Sequence, residues 1–163
     1  MRPTIAGRVD GLNAEAAIDR MRRVRVLLVS PDANARDLMR VSVGSIERRL
    51  GEPVSFLEAV DGEQGARTGL RERPDAVVAD EIASRAGAFS LAKDLRGASD
   101  PYLGPIVILL ERKHDAWLAR WSGANAWFVR PVDPFELADR LVELIESDRD
   151  QPQNQPKDQR ETV

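Results

Sequence analysis

An alternation repeated along most of this chain constrains its fold more than any other feature: short β-branched or aliphatic runs, each stopped by a turn, each followed by apolar residues at helical spacing. Val24-Arg25-Val26-Leu27-Leu28-Val29 is the first such run, and Ser30-Pro31-Asp32 halts it. Branched side chains fit a pleated surface, and a proline cannot donate to a strand ladder, so this reads as a buried strand ending in a turn. Leu38, Met39, Ser42, Val43, Ile46 and Leu50 then recur at helical spacing up to Gly51. Residues 54–60 form the next strand, Asp61-Gly62 a turn, and residues 63–73 a short helix closed by Pro74. Ala76-Val77-Val78-Ala79 is an apolar strand ending at Asp80, and Phe89, Leu91, Ala92 and Leu95 mark a helix that stops near Gly97. Residues 105–110 give the fourth strand, 114–122 the fourth helix and 126–129 the fifth strand. The closing helix starts at Pro134, suited to a first turn, and runs to about Ser147 with Leu137, Leu141, Leu144 and Ile145 inward. Strands alternating with helices, the middle strands apolar on both faces, predict an α/β domain: a doubly wound parallel sheet of five strands covered on both sides.

The chain divides into three parts. Residues 1–23 mix Pro3, Gly7 and Gly11 with a short capped helix over residues 13–23, and read as an N-terminal extension. Residues 24–147 are the domain. Residues 148–163 have no apolar periodicity and are rich in Gln, Asp, Pro and Arg, so a disordered polar tail is expected. With 163 residues, 42% hydrophobic and 31% charged, the chain has enough material for one full core. A net charge of -3 gives no global field for nucleic acid, although Arg20, Arg22, Arg23 and Arg25 form a local basic cluster, a solvated helix end or an anionic-surface contact. The absence of cysteine excludes disulfides, thiolate metal sites and cysteine nucleophiles. The longest apolar run, Ile106–Leu110, is far too short to cross a bilayer, and the polar N-terminus lacks a signal-peptide core. A cytoplasmic setting without direct membrane insertion is expected.

Several segments in register resemble the bacterial response-regulator receiver domain, a CheY-like family of two-component signalling, across roughly residues 24–146. Pro74-Asp75-Ala76-Val77-Val78-Ala79-Asp80 is similar to the family's third strand, Leu95-Arg96 to the end of its third helix, and Pro105-Ile106-Val107-Ile108-Leu109 to its fourth strand. Gly123-Ala124-Asn125 introduces the fifth strand, which ends in Arg130-Pro131 where the family has lysine and proline. The resemblance implies a flavodoxin-like (βα)5 fold with strand order 2-1-3-4-5, and it makes Asp80 the equivalent of the phosphate-accepting aspartate.

The same resemblance marks where this chain departs. The family holds magnesium with an acidic pair after the first strand, because a hard cation needs carboxylate oxygens to neutralise the transferring phosphoryl group. Ser30-Pro31 stands there instead, leaving Asp80 and Asp32, one position late. Leu110, followed by Glu111, replaces the serine or threonine that bonds a phosphoryl oxygen, and Arg130 replaces a compact ammonium with a planar fork. Glu81 adds a further negative charge. Magnesium binding is therefore expected to be lost or very weak, with no other cofactor or metal. An Asp80–Arg130 ion pair could lock the site without a metal.

These losses point to an atypical stand-alone receiver that binds a protein partner and is not an enzyme; the alternative is a working phosphoacceptor in a two-component phosphorelay. A flavodoxin-like enzyme is disfavoured because no phosphate-cradling glycine loop follows the first strand. Residues after 147 are too few and too polar for a helix-turn-helix module, so no nucleic-acid partner is expected. His114, the single histidine, has no catalytic companions in register and is expected in solvent. Trp117, Trp121 and Trp127 fall in the fourth helix and fifth strand, the first two on one helix face, and either fill the core or anchor an interface. Val132 and Phe135 border the face formed by the fourth helix, fifth strand and fifth helix, which receivers use for partners. Residues 80–89 and 117–121 resemble orphan receivers found beside respiratory NADH dehydrogenase genes. That implies an accessory role on this enzyme complex, peripheral to the inner face of the membrane through a protein partner.

Overall fold

The computed structural model describes residues 23–81 and 87–151. The expected N-terminal extension therefore lies, apart from Arg23, outside the described residues, as do residues 82–86 and the tail from 152 onward. Strands β1 (Val24–Val29), β2 (Val54–Ala59), β3 (Ala76–Asp80), β4 (Ile106–Leu110) and β5 (Ala126–Val129) form one sheet in the order β2-β1-β3-β4-β5. Every pairing is parallel. The helices are α1 (Ala33–Gly44), α2 (Gly62–Glu72), α3 (Ala88–Gly97), α4 (Ala116–Ser122) and α5 (Pro134–Arg149), with a short helical continuation of α1 at Ile46–Leu50.

Period-two alternation sends side chains to opposite faces. Val26, Leu28, Val78, Val107 and Leu109 meet Met39, Val43, Leu137 and Leu141 of α1 and α5. Leu27, Val29, Val77, Ile108 and Leu110 meet Ala66, Leu91, Leu95 and Ala119 of α2, α3 and α4. Each fully buried aliphatic side chain contributes about 1.5–3 kcal/mol relative to exposure, so the two layers are the main source of stability. α2 approaches closely because Gly69 has no side chain; a Cβ there would meet Leu95 Cδ2 at 2.8 Å.

Aspartates start the helices nearest the carboxyl ends of the strands. Asp32 accepts from Asn34 N–H at 2.9 Å, Asp61 from Gln64 N–H at 2.8 Å, and Asp133 from Phe135 N–H at 2.8 Å with Pro134 in the first turn. At the opposite end of the sheet Arg96 gathers loop carbonyls, donating to Tyr102 O at 2.7 Å, Gly104 O at 2.8 Å and Gly123 O at 3.1 Å. That is what the Leu95-Arg96 pair does here.

Three boundaries differ from the sequence expectation. The first helix breaks at Ser45, where the Ser45 hydroxyl donates to Ser42 O at 2.8 Å and the Ser42 hydroxyl to Leu38 O at 3.0 Å. Hydroxyls that bond back to helix carbonyls compete with the ladder and bend it. His114 lies not in α4 but in a preceding 3-10 turn, Lys113–Asp115. α5 continues to Arg149, two residues past the expected boundary at Ser147, where the Arg149 guanidinium grips both carboxylate oxygens of Glu52 at 2.8 Å. Within the expected arginine cluster, Arg25 is tied to Glu72 at 3.3 Å; Arg20 and Arg22 lie outside the described residues.

Candidate functional site

The carboxyl ends of β1, β3 and β4 converge on Asp80, the last residue of β3 and a buried carboxylate. The β1–α1 turn brings Ser30 beside it. Ser30 Oγ donates to Asp80 Oδ2 at 3.2 Å and accepts the Asp32 N–H at 3.2 Å. Arg36, one turn into α1, donates to Ser30 O at 2.6 Å and reaches Glu58 Oε1 at 3.4 Å, which fixes the turn against β2. From the other side Arg130, just past β5, places its guanidinium on Asp80 Oδ1. Its backbone is held there because Arg130 N–H donates to Leu110 O at 2.9 Å. Both oxygens of Asp80 are engaged, one by a cation and one by a hydroxyl. Burial pulls the Arg130 pKa below the usual arginine range, and the Asp32 carboxylate acts in the opposite sense.

The structure thus joins Ser30, Asp80 and Arg130, and it reassigns the other pocket residues. Pro31 is exposed at the turn and carries no side-chain ligand. Asp32 spends its carboxylate on the N-cap of α1. The Leu110 side chain is fully buried in the α2–α3–α4 layer, so it contributes to this site through its carbonyl alone. Leu109 reaches the Arg130 side instead, in the groove between α1 and α5.

This donor set does not fit a magnesium ion. A hard cation held by protein needs carboxylate oxygens. Asp80 offers its two oxygens to Arg130 and Ser30, and Asp32 commits Oδ1 to the first turn of α1. Among the described residues no three His, Cys, Asp or Glu side chains group as a metal site.

Next to Asp80, Glu81 accepts Glu111 N–H at 2.7 Å and donates Glu81 N–H to Leu109 O at 2.8 Å. Burial pushes its carboxyl up to about 6, with a hydrogen bond to Asp115 adding to the rise and the Glu111 N–H opposing it. This acidic contact joins the β3–α3 and β4–α4 loops, and the sequence reading noted only its charge. The spacing of 81, 111 and 115 gives no local motif from which the contact could be read.

The residues expected from the sequence to form one face divide in two. Trp117 and Trp121 are 64% and 61% exposed on α4, whose inner face is made by Ala119 and Ser122 instead. Of the two placements open for these tryptophans, the core is excluded. Lys93 lies 3.7 Å from the centre of the Trp121 ring, and Arg120 lies 5.6 Å from that of half-buried Trp127. Ala116, Trp117, Arg120, Trp121 and Trp127 line a surface pocket. Val132 belongs to the other side of the sheet, where it packs on the α1–α5 core and lines the groove there, and Phe135, at the start of α5, is 78% exposed. His114 is exposed, as expected.

A comparison with known proteins agrees with this architecture. No protein-family model matches the chain. It is 30% identical over 124 residues to an uncharacterized response regulatory protein of Mycobacterium tuberculosis, spanning 75% of this chain and 91% of that protein. The chain belongs to the response-regulator receiver family. The Vibrio cholerae chemotaxis protein CheY4 superposes with a TM-score of 0.61 at 22% identity, covering 75% of this receiver and 98% of that chain. The receiver domain of the Pseudomonas aeruginosa sensor histidine kinase PA1611, crystallised with magnesium coordinated in its active-site cleft, gives 0.61 at 22% identity over 76% of this receiver and 98% of that chain. Among the described residues no helix is long and apolar enough to cross a membrane.

Proposed function

We propose that this receiver is a phosphorylation-independent protein-docking module. One observation carries the reading: Arg130 and the Ser30 hydroxyl already occupy the two oxygens of Asp80, where a phosphoacceptor keeps one free to attack. Groups that stabilise phosphoryl transfer are commonly worth several kcal/mol each. The acidic pair after β1 and the hydroxyl after β4 are both replaced, so the barrier to transfer stays high. A guanidinium supplied by the chain takes over the charge balance that a bound cation would provide. The exposed tryptophans of α4 support docking as the remaining function, because tryptophan is enriched among interface anchors.

The partner to test first is the membrane-bound respiratory NADH dehydrogenase, on the resemblance of residues 80–89 and Trp117-Leu118-Ala119-Arg120-Trp121 to orphan receivers encoded beside it. Residues 82–86 of that resemblance lie outside the described residues. This role places a non-enzymatic, cofactor-free, cytoplasmic protein at the inner face of the membrane through its partner, without nucleic acid.

Incubation with acetyl phosphate and magnesium, read by intact-mass spectrometry, is the decisive experiment. The expected result is no phosphoryl adduct on Asp80. A stoichiometric adduct that disappears in Asp80→Asn would return the protein to the phosphorelay class.

A further inference from the structure

Four cations lie over aromatic rings among the described residues, and they divide by what else holds them. Arg40, over Phe56, also pairs with Glu58 at 2.8 Å. Arg96, over Tyr102, also donates to the carbonyls of Tyr102 and Gly104 and to Asn125 Oδ1. Lys93 on the Trp121 ring and Arg120 on the Trp127 ring differ: among the described residues neither has a carboxylate within salt-bridge reach or a side-chain hydrogen bond. Both are exposed. The face of an indole attracts a cation without taking up its N–H groups, so both heads keep their hydrogen-bonding capacity for another molecule.

Trp121 and Trp127, the rings these cations lie over, are two walls of a pocket of about 300 Å³ completed by Ala116, Trp117 and Arg120. No acid lines it. Asp115, just before Ala116, is hydrogen-bonded to Glu81, and Asp94 follows Lys93 about 100° further round α3. The occupant that such a surface fits has an apolar body for the indole walls and carboxylates for the cations. Arg120 offers a carboxylate a planar fork and Lys93 a compact point charge. No ion pair within the chain has to break first. A pocket between rings takes one projecting side chain, which a polypeptide supplies and the level headgroup layer of a bilayer does not.

We propose that this pocket binds an acidic segment of the partner protein, in which Asp or Glu flanks a leucine or an aromatic residue. The apolar side chain enters between the indoles, and the carboxylates pair with Arg120 and Lys93. Its place on α4 rests on the docking function proposed above; the acidic chemistry of the partner is the addition.

Selection from a random peptide library displayed on phage, with the full chain as bait, tests this when the selected peptides are synthesised and their binding is followed by fluorescence anisotropy. The expected sequences concentrate Asp and Glu around one apolar residue. Their binding should weaken about tenfold or more in Arg120→Gln, Lys93→Gln and Trp121→Ala, and fall as salt rises. All three side chains are exposed, so the melting temperature should hold. Arg48→Gln removes an exposed charge on the other side of the sheet and should leave binding unchanged. Equal weakening there would reduce the effect to net charge and overturn the site. Peptides without acidic enrichment, lost in Trp121→Ala but indifferent to Arg120→Gln and Lys93→Gln, would overturn the acidic partner and leave docking at α4 standing. Peptides indifferent to both Trp117→Ala and Trp121→Ala would overturn the two together. Failure to select any peptide would also overturn the acidic partner, and Trp121-dependent co-sedimentation with phosphatidylglycerol vesicles would then assign the surface to anionic lipid.

Discussion

Ser30 follows β1 and Asp80 ends the neighbouring β3, and the serine hydroxyl donates to the aspartate carboxylate at 3.2 Å. A carboxylate in place of that hydroxyl would bring two negative charges together beside a single guanidinium. Ser30→Asp should therefore cost about 1–3 kcal/mol of stability at neutral pH, the usual range for an unsatisfied buried polar group. Urea unfolding checks it, and the loss should shrink toward pH 4 as one of the two acids protonates. An unchanged midpoint at neutral pH would mean that the site accepts a second acid and that the Ser30 contact has no energetic weight.

Asp80→Asn preserves shape and removes the charge that Arg130 faces. The cost should be about 1–3 kcal/mol, below the 3–5 typical of breaking a fully buried pair, because Arg130 is partly solvated. Capture of a partner from native membranes should persist at a temperature where the variant is folded. Loss of capture by folded Asp80→Asn would count against phosphorylation-independent docking.

Trp117→Ala and Trp121→Ala should leave the melting temperature within a few degrees, since both rings are mostly solvated and Trp121 loses only its contact with Lys93. Capture should fall more than tenfold, corresponding to an anchor worth over about 1.4 kcal/mol. Unaltered capture by both stable variants would remove α4 from the interface.

Glu81 gives a signed pH dependence. Its carboxyl is raised from 4.5 to about 6 in the folded chain, so between those values the native state holds the extra proton. That contribution is fully present below about 4.5 and is lost as pH rises to about 6. Glu81→Gln keeps an oxygen for the Glu111 N–H and removes the titration. The stability difference between Glu81→Gln and the unaltered protein should therefore favour the variant progressively from pH 4.5 to 6 and be flat above. A difference that stays constant across this range would show that Glu81 does not titrate there.

Much of the architecture was readable because strand and helix periods differ, and Val24–Val29 or Pro134 admit few other placements. The Asp80–Arg130 pairing could be anticipated too, since strand order and the Arg130-Pro131 pair bring the residues to one edge. What periodicity could not settle was direction. Spacing put Trp117 and Trp121 on one helix face, but only the small buried Ala119 and Ser122 reveal that this face is the outer one. Likewise, Val132 and Phe135 follow β5 closely in sequence, yet the crossing from the strand to α5 carries them to the far side of the sheet from the tryptophans. Leu110 was read as a pocket residue from its place in the chain, while strand alternation turns its side chain into the core.

A charge delivered by the polypeptide differs from a metal ion in having no free concentration. On the docking function proposed above, an Arg130 seated on Asp80 would leave chelation, cation supply and kinase or phosphatase balance nothing at this position to act on. A protein built this way would convey information through its amount and its lifetime. Regulation of its effect would then be found in synthesis and proteolysis, and the rate at which cells make and remove it becomes the quantity to follow.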